Sequence, residues 1–126
     1  MINRISLLVF LFAILLTCHA QEKYNAYCEL VGPGNNYNIR GHVAVLFSNA
    51  DINEAYIVID TNGKERKFKS MIEAVAHFEK QGWYLINSYA VTETQGVSRL
   101  TIYHYLLKKE ITNDEQIKEG LVLKEE

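Results

Sequence analysis

The sequence predicts an α+β domain, a mostly antiparallel sheet of four to five strands with one helix packed on one face. Three observations predict it. A capped amphipathic segment stands alone at Ser70–Gln81. Five stretches of strand character flank it, at Tyr24–Val31, Tyr37–Phe47, Ala55–Asp60, Trp83–Glu93 and Ser98–Lys108. Turn signals part them at Gly32-Pro33-Gly34-Asn35-Asn36, Asp60-Thr61-Asn62-Gly63 and Thr94-Gln95-Gly96-Val97. The order strand, strand, hairpin, helix, strand, strand favours antiparallel pairing within a single domain.

The first twenty residues stand outside that domain. Arg4 supplies a positive start, Ile5–Leu16 is an uncharged apolar run, and Cys18-His19-Ala20 gives small residues at −3 and −1 before Gln21. This is the pattern of a secretory signal peptide over residues 1–20. The apolar run is about 12 residues, against roughly 20 for a spanning helix, so no stable membrane insertion is expected after cleavage. Lipoprotein processing at Cys18 is the alternative, though Thr17 stands where such sites take Gly, Ala or Ser. The expected address is periplasmic or extracellular.

Tyr24–Val31 is the first strand, and Gly32–Asn36 reads as a loop. That loop lacks both the Gly-Lys-Ser/Thr ending and the dinucleotide spacing of a phosphate cradle. Tyr37–Phe47 alternates as a second strand, with Gly41 marking a bulge. Ala55–Asp60 is a third strand, and Asn62-Gly63 turns it into the return arm Lys64–Phe68. Ser70 and Glu73 form a capping box, the hydroxyl accepting from the Glu73 N–H and the carboxylate reaching back to the Ser70 N–H. Met71, Ala74, Val75 and Phe78 make the buried stripe. Gly82 ends the helix, and Trp83 packs back near Phe78.

The last two strands look apolar on both faces. Trp83, Leu85, Tyr89 and Val91 are expected on one face of their strand, and Tyr84, Ile86 and Ala90 on the other. Leu100, Ile102 and Leu106 likewise oppose Tyr103, Tyr105 and Leu107. A helix of about 11 residues is roughly 16 Å long, while four or five strands span roughly 20–24 Å. One helix therefore covers one face at most. Another subunit, the C-terminal tail or a ligand is expected on the second face. Residues 110–126 read as a polar tail, with one short helix at Asp114–Glu119 as an alternative to a loose end. The domain proper is residues 21–109.

Without Arg4 the chain keeps 12 basic residues against 15 acidic ones, a net charge near −3. That balance argues against a nucleic-acid partner. The basic cluster Lys64, Arg66, Lys67 and Lys69 reads as a solvated strand edge rather than a polyanion patch. Only Cys28 is left, so an internal disulfide is excluded; in an apolar strand it reads as a core residue. His42, His77 and His104 lack metal-ligand spacing, so no metal and no cofactor is expected. Ser88 and Ser98 have no evident base, Asp51 and Glu54 are loop carboxylates, and no nucleophile–base–orienter set can be written. No catalytic residue is assigned, and the expectation is a protein that is not an enzyme. A small hydrolase would need two of the three histidines, or one with a carboxylate, within hydrogen-bond reach in a cleft.

The tyrosines carry the binding expectation. Tyr84, Tyr89, Tyr103 and Tyr105 are the candidate binding residues, together with His104, because tyrosine buries area and keeps a polar tip. The expected partner is a second copy or another protein, and the alternative is a small ligand or glycan.

Gly82-Trp83-Tyr84-Leu85-Ile86 after an amphipathic helix, closed by Tyr105-Leu106-Leu107-Lys108-Lys109, resembles an uncharacterised family of short bacterial domains of unknown function. Tyr27-Cys28-Glu29-Leu30 after a signal peptide is similar to its exported members. Many members have Glu after the Trp, where this chain has Tyr84. The resemblance implies a small α+β fold and supplies no activity, since none is established for the family.

Overall fold

The computed structural model describes residues 3–16, 21–35, 38–39, 42–50 and 54–126. Helix α1 (Arg4–Leu16) is followed by β1 (Tyr24–Asn35), β2 (Asn38–Ile39), β3 (Ala44–Phe47) and β4 (Tyr56–Val58). Then come α2 (Met71–Glu79), β5 (Tyr84–Gln95), β6 (Ser98–Ile111), a 3-10 turn at Asp114–Gln116 and β7 (Leu123–Glu125). The strands lie in the order β5-β6-β1-β3-β4-β7, with β2 beside the end of β1, and every pairing is antiparallel. The α+β class and the antiparallel sheet are as the sequence predicts. No described helix is long and apolar enough to cross a membrane.

Helix α2 starts where the cap requires. Ser70 Oγ accepts from the Glu73 N–H at 3.1 Å. The Glu73 carboxylate reaches one residue further back than the capping box predicts, to the Lys69 N–H at 3.0 Å. At the other end Gly82 takes φ +90°, and the Trp83 N–H returns to the Phe78 carbonyl at 3.2 Å. Met71, Ala74, Val75 and Phe78 are buried. They join Ala26, Cys28, Leu30, Val45, Phe47, Tyr56, Val58 and Leu107 in one core, with Trp83 1 % exposed beside Phe47. Each buried Val, Leu, Met or Phe side chain among them contributes about 1.5–3 kcal/mol by leaving water.

Four features differ from the sequence reading. Strand β1 runs straight through Gly32-Pro33-Gly34-Asn35, pairing Gly32 with Tyr103 and Pro33 with Ile102, where a loop is predicted. Gly32 is there for close approach rather than for a turn, since a Cβ on it would stand 2.6 Å from Met71 Sδ. The predicted second strand is divided into β2 and β3, and the Gly41 bulge lies outside the described residues. A bulge does occur in β5, between Leu85 and Asn87. It inserts Ile86 and reverses the alternation, so Tyr89 and Val91 share a face with Tyr84 rather than with Leu85.

The fourth difference is the tail. Residues 110–126 are built into the domain: β6 continues to Ile111, Ile117 is 3 % exposed in the core, and β7 pairs with β4. Lys118 lies over the Tyr56 ring at 4.2 Å and donates to its hydroxyl, and Lys109 Nζ donates to the Gln116 carbonyl at 2.8 Å. The tail thus covers part of the helix-side face beside the nine-residue helix and leaves the β5 end of that face exposed.

Candidate functional site

The far face, opposite α2, is set by register. Tyr27, Glu29 and Val31 of β1 lie beside Lys108, Leu106 and His104 of β6, and these lie beside Tyr84, Asn87 and Tyr89 of β5. Residues opposite one another in a ladder share a face. Three strands therefore bring Glu29, His104 and Tyr89 together, although 75 residues separate the first two.

Glu29 Oε1 accepts from the Tyr89 hydroxyl at 3.1 Å and contacts His104 Nδ1. The phenol and imidazole stack with centroids 4.5 Å apart and planes 5° from parallel. A neutral His104 that donates through Nδ1 presents Nε2 as an acceptor. Partial desolvation and the Glu29 carboxylate raise the Tyr89 phenol above its ordinary value. The Glu29 carboxylate thus orients the His104 imidazole. A shallow groove of about 180 Å³ runs alongside, lined by Tyr27, Glu29, Leu46, Ser48 and Leu106 among others. Glu29 lines it and His104 does not.

The four candidate tyrosines do not share one surface. Tyr84 and Tyr89 are on the far face, 46 % and 50 % exposed, and Lys108 lies 5.2 Å from the Tyr84 ring centroid. Tyr103 and Tyr105 point to the helix side; Tyr105 is buried in the core, where burial raises its phenol, and Tyr103 packs against that core half-buried. Glu29 is the residue that sequence reasoning missed. Its only signal is that it is the one charge inside the apolar strand Tyr24–Val31.

The histidines stand apart. His42 contacts Glu65 on an exposed site, and His77 sits on α2 between Phe68 and Phe78. Two histidines thus have a carboxylate within reach, His104 with Glu29 and His42 with Glu65. Cys28 is 2 % exposed, and burial raises its thiol far above the reactive range. Among the described residues no group of three His, Cys, Asp or Glu could hold a metal ion. Ser88 is on the exposed helix side of β5, Asp51 lies outside the described residues, and Glu54 accepts from the Tyr56 hydroxyl. The side chains of Lys64, Arg66, Lys67 and Lys69 are exposed, with Arg66 over the Phe68 ring.

The last feature is the border of the sheet. Strand β5 is paired with β6 on one side and with no other described strand on the other. It is twelve residues long, and Glu93 is its single charge. Tyr84, Leu85, Ile86, Tyr89 and Val91 are each at least 40 % exposed. No family model, no curated protein and no solved structure matches this chain.

Proposed function

We propose that this chain is an exported, non-enzymatic interaction module that associates with itself through its sheet. We group it with the short exported domains that Gly82–Ile86 and Tyr105–Lys109 resemble. The observation that supports this reading is β5. A twelve-residue border strand with one charge, no proline and five exposed apolar or aromatic side chains is a template for pairing with another chain. Natural sheets blunt such borders with charges, prolines or short strands, and β5 has one bulge and Glu93. The far face adjoins it with tyrosines, isolated apolar side chains and a polar centre, the composition of interface hot spots.

The test is light scattering on the chain purified from the exported fraction, over a wide dilution series. A mass near twice that of one chain is expected, falling toward one chain on dilution. A clean monomer at the highest concentration overturns the reading.

A further inference from the structure

We infer that the β5 border takes a second copy of this chain in antiparallel register about a two-fold axis at Ala90, an inference that rests on the self-association proposed above. Past its bulge β5 directs Asn87, Tyr89, Val91 and Glu93 to the far face and Ser88, Ala90 and Thr92 to the helix side. Residues opposite one another in a ladder must point the same way, so the axis passes through a residue rather than between two.

Side-chain chemistry selects which residue. An axis at Ala90 sets Tyr89 against Val91 of the second copy, twice, which is a favourable aromatic–β-branched cross-strand pair. It sets Asn87 against Glu93, a donor against an acceptor. On the helix side it sets Ser88 against Thr92 and Ala90 against itself, all small enough for ordinary ladder spacing. The two Glu93 carboxylates then stand six positions apart, about 20 Å, so the only charge on the strand does not oppose itself. An axis at Val91 would instead put Tyr89 against Glu93, and one at Tyr89 would put Glu93 against Leu85 across the bulge. The chosen two-fold stands perpendicular to the sheet. It joins both far faces, with their Glu29–His104–Tyr89 clusters, into one continuous surface.

The test is a charge exchange at the axis. Ala90→Lys and Ala90→Glu each bring two like charges to ladder distance, so each variant alone is expected to run as a monomer. Mixed in equal amounts they are expected to recover the dimer mass. Ala90→Cys is expected to form a disulfide-linked dimer on mild oxidation, whereas Thr94→Cys and the wild-type chain, whose Cys28 is buried, do not. Thermal melts confirm that each variant is folded, and the cysteine readout decides the matter if a charged variant is not. A wild-type dimer with unchanged Ala90→Lys and Ala90→Glu dimers, or with no Ala90→Cys crosslink, overturns this register and leaves self-association standing. A monomeric wild type overturns both.

Discussion

His77 shows what one side chain owes to its surroundings. Its ring lies 5.5 Å from that of Phe68 and 5.9 Å from that of Phe78. Burial, and then the charges of Arg66 and Lys80, lower its pKa below the usual imidazole value. The unfolded chain therefore takes up this proton at a higher pH than the folded chain does. The stabilisation from a neutral His77 is complete above about pH 6.5 and is lost as pH falls through the lowered value. His77→Gln is expected to flatten the loss of Tm between neutral and mildly acidic pH, measured against the wild-type melt at each pH. An unchanged slope would remove His77 as its source. Local side-chain roles of this kind were partly legible. The Ser70 cap and the Trp83 return depend on neighbours three to five residues away, and the spacing shows them. Glu29 was not legible as a site residue, because its two partners come from strands 60 and 75 positions later. Gly32 was misread because a glycine needed for close approach looks, in sequence, like a glycine needed for a turn.

Among the elements, the tail departs most from its composition. Beyond Ile111, charged residues hide three more apolar ones, Ile117, Leu121 and Leu123, which are buried in the core or packed against it. Their spacing fits neither a helix nor a strand, since Ile117 caps a 3-10 turn, Leu121 lies between elements and Leu123 opens β7. Ile117→Ala is expected to cost about 2–4 kcal/mol, read as a lowered urea midpoint with an unchanged slope. A cost near zero would show that the tail only rests on the domain. The β5–β6 hairpin carries the complementary lesson. Its two strands and its turn were visible, but the single extra residue at Ile86 was not, and one residue exchanges every later side chain between faces.

For the whole molecule, α1 and the sheet obey different rules. Ile5, Leu7, Leu8, Val9, Phe10, Leu11 and Phe12 on α1 are each at least 59 % exposed, so these side chains bury little against the sheet. The proposal that residues 1–20 are a removed signal rests on the sequence pattern. Mass spectrometry of the exported chain is expected to show Gln21 as the first residue; a retained leader, or a lipid on Cys18, would refute it.

The two rims of the sheet are unequal. One is long and nearly neutral; the other is β7, three residues long, with Lys124 and Glu125 exposed. If only the first rim recruits a neighbour, and does so by a two-fold operation, the operation uses up the sole adhesive side of each molecule. Growth then halts after one addition. Stoichiometry is capped at two, and a chain that carries an aggregation-prone ribbon is spared from building fibres.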